Sequence, residues 1–400
     1  MLTAHLSDGK TLNLAAGVFQ PSSLHELRKT ASFYCPVCQK PMDLKLGSIK
    51  AFHFAHKRNA DCPYTGEPES KLHLEGKTQL YEWLNGQTEV LLEPYLKELN
   101  QRPDLLAAGA AAIEYQCSLL DQQLFDKRNA AYRDNGYEPI WILGGTRIAR
   151  LSSSLFRFSA FHWQCTRIGA DHFRPYLLSY SPGSKTFLRL SHLIPFSKTS
   201  VFARQEYLHL DRISFKSLLS PPAQGSFPFK NWAAKVKKHR MSPHFRLSAE
   251  AAYLKNVLYN EKSIPFSCIP SYAFLPLLSG CCFESSVYVW QTRLLLWINR
   301  QPLSCFFHAE EAVRHAAMLV TRRQLFIRRL PHWTASESIS LPVSDYLDAL
   351  SQLGYLQKEE EKYKKTGKLN WRGDPEALIE EDQCLLSRFI SECDLAPHIN

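Results

Sequence analysis

The sequence predicts an α/β protein: a mixed sheet flanked by helices, preceded by a small zinc-binding module and followed by a mainly helical region. Three observations carry this. Residues 66–146 read in the order helix, strand, strand, strand, helix, strand, which defines one α/β unit. A cluster of Cys and His stands before it, and beyond residue 215 the pattern turns helical and basic. The expected domains are therefore 1–65, 66–215 and 216–400.

The 400 residues, 45% apolar and 12% aromatic, are ample for packed cores in two or three domains. There is no basic leader followed by an apolar run and no apolar stretch of about 18 residues or more. A cytoplasmic chain with no membrane span is expected. The net charge of +10 favours a polyanionic partner, since each Lys or Arg contact to phosphate releases a counterion. A basic surface kept for solubility is the plainer alternative. The eleven cysteines read as thiols rather than disulfides, and only Cys35, Cys38 and Cys62 cluster with histidines.

In chain order, residues 1–15 alternate around Asp8-Gly9 and predict two short strands. SSLHELRKT (22–30) reads as a helix, with Ser22 or Ser23 and Glu26 placed for a capping box. PESKLHLEGKTQLYEWLNG (68–86) sets Leu72, Leu80, Tyr81 and Leu84 at helical spacing, with Gly86 as its stop. TEVLLEPYL, RPDLLA and AAIEYQCS are short β-like runs, residues 119–136 a helix ended by Asn135-Gly136, and EPIWILGG a buried strand. A hairpin centred on Ser181-Pro182-Gly183-Ser184 extends the sheet, and PPAQGSFPF reads as a linker. Of the helical remainder, SDYLDALSQLGYL is the best example and KEEEKYKKTGK a solvated charged segment.

Two constellations can carry chemistry. In FYCPVCQKPMDLKLGSIKAFHFAHKRNADCPY the Cys35-x-x-Cys38 knuckle turns two thiolates toward one ion, and soft S with imidazole N selects zinc. Cys62 supplies a third ligand. His56 is the preferred fourth, with His53 a supporting donor; a full set of four makes the zinc structural. The plain alternative is a small apolar module with reduced thiols.

The second constellation spans the α/β unit. Glu69, His73 and Lys77 fall at i, i+4 and i+8 and so share a helical face. Asp104 follows Pro103 near a strand end, and Glu114 and Gln116 point to one side of the next strand. If RPDLLA and AAIEYQCS pair, Asp104 and Glu114 approach each other, and two carboxylates so held bind a hard cation such as Mg2+. Such an ion supports phosphodiester hydrolysis. Arg128 and Tyr132, one turn apart, can meet a phosphate or the cleft wall. Scattered surface charges on a sheet edge are the alternative.

ESxxH (69–73) with Lys77, RPD (102–104), IEYQCS (113–118), RNAAY (128–132) and PIWIL (139–143) together resemble the competence protein CoiA family of Gram-positive bacteria, as do CPVC and HFAH upstream. The resemblance covers about residues 1–215 well and the rest more weakly. It implies a restriction-endonuclease-like core of the PD-(D/E)XK superfamily, Mg2+-dependent DNA cleavage and a role in natural transformation. It further implies that Glu69 is the helix carboxylate, Asp104 the PD aspartate and Glu114 the strand glutamate. Gln116 stands where that superfamily usually has lysine, so a cation is lost there. Lys77 or Arg128 can restore the charge from a neighbouring helix. Two readings stay open: an active nuclease acting on single-stranded DNA or recombination intermediates, with a recombinase or competence-machinery partner, and a catalytically inactive DNA-binding accessory factor.

The run KNWAAKVKKHRMSPHFR, with Lys230, Lys235, Lys237, Lys238, Arg240, Arg246, Trp232 and Phe245, mixes cations and rings as nucleic-acid contacts do, although a solvated linker would also show it. VTRRQLFIRRLPHW repeats the theme. A third reading makes SDYLDALSQLGYL part of a winged-helix-like element in a transcription regulator, against which no recognition helix with base-reading side chains is evident.

Overall fold

Alternation around Asp8-Gly9 folds the first residues into the antiparallel strands β1 (Thr3–Leu6) and β2 (Thr11–Asn13), with Gly9 at φ +84° in the turn. The computed structural model describes every residue except 17–18, 48–51, 58–61, 63–68, 145–147, 169–174, 221–226, 243–245, 332, 372 and 393–400. Helix α1 (Pro21–Thr30) follows, and here the expected capping box gives way. Pro21 occupies the first turn, where its fixed φ and missing N–H are no handicap, so Ser22 and Ser23 lie inside the helix and Gln20 precedes it without a side-chain cap. Strands β3 (Phe33–Tyr34), β4 (Pro41–Lys45) and β5 (His53–His56) complete a sheet ordered β2-β1-β3-β4-β5. Its core is Ala4, Leu24, Phe33, Met42, Leu44 and Phe54.

The expected α/β order then appears: α2 (Lys71–Asn85), β6 (Val90–Leu92), β7 (Leu105–Ala107), β8 (Ala111–Gln116), α3 (Gln122–Asp134) and β9 (Glu138–Gly144). The chain continues through β10 (Ala149–Arg150), β11 (Leu155–Arg157), α4 (Ala160–Gln164), β12 (Arg167–Ile168), β13 (Pro175–Ser181), β14 (Thr186–Pro195), β15 (Ser200–His209) and α5 (Phe215–Leu219). The turn at Pro182–Ser184 joins β13 to β14, as its sequence predicts.

Two compact units emerge. The first comprises Met1–Arg147, Leu177–Arg189 and Glu206–Ser220; the second comprises Ile148–Tyr176, Leu190–Gln205 and Pro221–Asn400. In the first, β6-β7-β8 are antiparallel neighbours, β9 runs parallel to β8, and β13 parallel to β9. A parallel β8-β9 pair needs a crossover, which α3 supplies. The result is a mixed sheet with helices packed on it.

The second unit holds the helical region: α6 (Phe229–Met241), α7 (Ala249–Lys262), α8 (Val287–Arg300), β16 (Phe307–His308), α9 (Ala309–Thr321), α10 (Glu337–Gln352), β17 (Leu356–Glu359), β18 (Lys362–Lys365) and α11 (Pro375–Glu392). Trp232, Leu254, Phe274, Trp290, Leu294, Tyr346, Leu350 and Phe389 lie in its core. KEEEKYKKTGK is largely exposed, as expected of a charged segment, but it is built into a hairpin. Tyr363 and Lys365 alternate inward on β18, which pairs with both β16 and β17, and the Tyr363 hydroxyl donates to Asp348 at 2.6 Å. Helix α10 does run into this hairpin, as a helix and wing would, and from Ser338 to Gln352 its residues are buried or only partly exposed. No described helix is long and apolar enough to cross a membrane. The core of the expected linker, 221–226, lies outside the described residues.

Candidate functional site

The N-terminal cluster forms from strand geometry. The tight turn between β3 and β4 is closed by the Cys35 N–H donating to Lys40 O and the Gln39 N–H to Cys35 O, both at 2.9 Å. That turn places Cys35 and Cys38 side by side. Antiparallel pairing of β4 with β5 sets His56 opposite Met42 and His53 opposite Lys45. Being three apart on a strand, the two histidines face opposite ways, and His56 is the one that meets the knuckle, its Nε2 3.3 Å from Cys38 Sγ. The donor atoms of Cys35, Cys38, His56 and Cys62 all lie within 4.8 Å of one another, which suits thiolate and imidazole ligands around one tetrahedral ion. Burial, then the charges of Arg102 and the N-terminal amine, hold His56 below its ordinary pKa, in the neutral form that a ligand requires.

The second site is built by α2 and the β7–β8 hairpin. Ser70 caps α2, its hydroxyl accepting from the His73 N–H at 3.1 Å, so Glu69 precedes the helix instead of opening it. The carboxylate still reaches back: Glu69 Oε1 accepts from Lys77 and lies 3.7 Å from His73 Nδ1. In the hairpin Leu105 pairs with Ile113, and one step further the same register sets Asp104 beside Glu114. Asp104 Oδ2 accepts from the Tyr115 N–H at 2.9 Å and lies 3.1 Å from His73 Nε2, while Oδ1 is 3.4 Å from Lys77 Nζ. Glu69, His73 and Asp104 each offer a ligand atom within 4.8 Å of the others.

Glu114 takes a different place. Its Oε1 accepts from Arg128 and, at 2.6 Å, from the Tyr132 hydroxyl, both on α3. Glu114 thus stands outside the group formed by Glu69, His73 and Asp104. The physical reason is that α3 presents a guanidinium and a phenol to a buried carboxylate that needs partners. Gln116 is turned to Ser118, donating to its carbonyl and hydroxyl at 3.0 Å each. It is Lys77, not Gln116, whose ammonium stands among the carboxylates.

Two residues of this site escaped the sequence reading. Glu93, buried at φ +51°, accepts from Lys77, from Arg102 at 2.7 Å, from the N–H groups of Leu2 and Thr3 at 3.0 and 3.1 Å, and from the Thr3 hydroxyl at 2.9 Å. Arg102 is the second. The available signal was an acid ending an apolar strand in LLEPY, and a basic residue just before Pro103. The N-terminal amine also meets Glu69.

The electrostatics follow. Burial opposes ionisation of Lys77, but Glu69, Glu93 and Asp104 outweigh it and hold the ammonium charged. Burial likewise works against Asp104, yet His73, Lys77 and the Tyr115 N–H keep its carboxyl well below the usual range. His73 is raised above its ordinary value, Asp104 overcoming the burial penalty. Glu114 moves the other way. Burial pushes it up, Asp104 adds to this, and Arg128 offsets only part.

The C-terminal basic run divides. Trp232 is buried and donates to Phe274 O at 2.8 Å; Arg240 is buried and forks onto Asp382 at 2.6 and 2.7 Å. Neither is available to an external partner. Lys230, Lys237, Lys238 and Arg246 are exposed, and Phe245 lies outside the described residues. In the second run Arg328 is buried over the Trp163 ring, 4.2 Å from its centroid, whereas Arg322, Arg323 and Arg329 are exposed.

The chain is similar to known proteins along most of its length. Residues 18–65, 69–223 and 227–377 match, in turn, the families described as the N-terminal, nuclease-like and C-terminal domains of competence protein CoiA. The chain is 35% identical over 339 residues to competence protein CoiA of Bacillus subtilis (strain 168), covering 82% of this chain and 88% of that protein. No solved structure matches it.

Proposed function

This chain belongs to the competence protein CoiA family, and on that premise we propose that it is a metal-dependent DNA nuclease that processes incoming DNA, or supports its recombination, during natural transformation. The observation that carries the reading is the convergence of Glu69, His73 and Asp104 on one point beside a buried lysine. Asp104, with Glu69 and His73, would hold a divalent ion such as Mg2+ or Mn2+; carboxylates suit Mg2+, and the imidazole widens the choice. An ion bound there supplies activated water and charge neutralisation at the phosphate.

The chain's own residues do the rest. Lys77 brings the fixed cation that Gln116 lacks, and its charge opposes the negative charge growing on a phosphate in the transition state. Asp104, held ionised, orients the His73 ring through Nε2. Arg128 and Tyr132 hold Glu114, and Arg128 offers guanidinium donors to a DNA phosphate if Glu114 turns toward the ion. In the N-terminal module, Cys35, Cys38, His56 and Cys62 would hold a structural zinc.

A second reading is favoured by one specific observation. Every carboxylate of the site already has a cation: Glu69 has Lys77 and the terminal amine, Glu93 has Lys77 and Arg102, Asp104 has Lys77, and Glu114 has Arg128. Such a site can bind DNA as a recombination accessory factor without cutting it. Purified protein incubated with Mg2+ or Mn2+ and labelled single-stranded, duplex and branched DNA separates the two. Cleavage abolished by Asp104→Ala and by Glu114→Ala supports the nuclease. No cleavage of any substrate, with transformation intact in Asp104→Ala cells, supports the accessory role.

A further inference from the structure

Away from that site, three lysines of the second unit gather where no acid answers them. Lys262 ends α7, Lys365 ends β18, and Lys368 follows three residues on. Lys365 and Lys368 line a cavity of about 450 Å³ together with Trp371, Asn299 and Gln301, and the Lys262 ammonium lies 5.2 Å from the Trp371 ring centroid. Lys365 is only 5% exposed, and its Nζ donates to Asn299 O at 2.8 Å. Among the described residues no carboxylate pairs with any of the three; Glu261, beside Lys262, is engaged by Arg300 at 2.6 Å. Burial first, then the charges of Lys368 and Lys262, lower the Lys365 pKa.

Crowded like charges raise the energy of the free protein, and an anion placed among them relieves it. The cavity falls within the ~300–1,000 Å³ range of sites for small ligands. Trp371 adds an aromatic surface next to the cations, the pairing that single-stranded nucleic acid selects through backbone contacts and base stacking. Lys362 and Lys364 alternate to the other face of β18 from Lys365, so the cations at the cavity are Lys262, Lys365 and Lys368 alone.

We propose that this cavity is a second DNA site, which seats one nucleotide of a single strand with its phosphate among Lys262, Lys365 and Lys368 and its base against Trp371. The proposal rests on the DNA reading above. It is tested on the full chain with an oligothymidylate carrying 5-iododeoxyuridine, photo-crosslinked and mapped by mass spectrometry, and with binding measured across a salt series. Adducts should fall on the peptide containing Trp371 and persist in Asp104→Ala protein. The double variant Lys262→Gln/Lys368→Gln should bind about tenfold more weakly at low salt, and its log K against log salt slope should shrink by about 1 to 2. Adducts only elsewhere, with an unchanged slope, would overturn the second site while leaving DNA binding in place. Wild-type protein that binds no single strand would overturn both readings. Competition by thymidine 5′-phosphate as effective as that of the oligonucleotide would replace the single-strand ligand by a free nucleotide.

Discussion

Gly76 on α2 lies so close to the Tyr115 ring on β8 that a Cβ at position 76 would stand only 2.2 Å from Tyr115 Cε1. The missing side chain lets the helix carrying His73 and Lys77 approach the strand whose Tyr115 N–H holds Asp104. The Tyr115 ring cannot simply retreat, because its hydroxyl donates to Tyr180 O at 3.1 Å and the ring packs on His73 and Tyr180.

Gly76→Ala should therefore lower stability by about 2 kcal/mol, overpacking outweighing the helix propensity gained. Gly86→Ala, where the nearest atom is 3.8 Å away, should be close to neutral. Urea denaturation of both variants checks the contrast. Equal effects would mean that the close approach of α2 to β8 is unimportant.

Lys77→Met should cost about 3 kcal/mol without metal, since it leaves buried carboxylates uncompensated. Mn2+ should then raise its Tm more than it raises that of wild type, because the ion takes over the ammonium's role. Thermal scans with and without Mn2+ decide it. A variant whose Tm ignores the ion argues against a metal at Glu69, His73 and Asp104.

Glu93 joins the first strand of the N-terminal module to the buried lysine and arginine. Glu93→Gln keeps the shape and removes the charge, so stability should fall by about 2 to 4 kcal/mol. Hydrogen exchange should quicken at the Leu2 and Thr3 amides before it does at Phe54, whose N–H bonds Met1 O at 2.8 Å instead.

Metal analysis of the native protein should find about one zinc per chain, lost in Cys35→Ser and in His56→Ala and kept in His53→Ala, because His56 alone of the two histidines meets the knuckle. Chelation should unfold the N-terminal module, read by limited proteolysis. Full zinc in His56→Ala would sink this ligand set.

Burial, then Arg293, Arg300 and Arg322, push His315 down to about 4 from 6.5, while its ring stacks on Trp297 with centroids 5.6 Å apart. Between those values the unfolded chain binds a proton that the folded chain refuses. Stability is thus unaffected above the unfolded pKa and falls as the pH drops toward 4. His315→Gln should flatten that limb by on the order of 1 kcal/mol, once solvent screening is allowed for. Denaturant midpoints of both proteins between pH 7 and about 4.5 test the sign.

The α/β order, the Cys-x-x-Cys knuckle and the run of motif residues were legible because each depends on neighbours within a turn or a strand. Periodicity marked α2 and α3, and Gly86 marked the end of α2, while its start at Ser70 came from the structure. The α1 capping box failed for a local reason, Pro21 having claimed the first turn. In KEEEKYKKTGK the charged, exposed character was legible, whereas the hairpin was not, because Tyr363 meets Asp348 on a different element.

The sequence by itself determined the family, the mixed sheet and the residue types of both candidate sites, since composition and spacing are properties of the chain. Only the tertiary structure decided which charges face which. It put Lys77 among Glu69, Glu93 and Asp104, gave Glu114 to Arg128 and Tyr132, and took Arg240 and Trp232 out of reach of any partner. The reason is that a buried charge must find its partner wherever the fold brings one, and the partners here stand 14 to 142 residues away for Arg128 and Arg240. No local pattern in RPDLLAAGAAAIEYQCS specifies that choice.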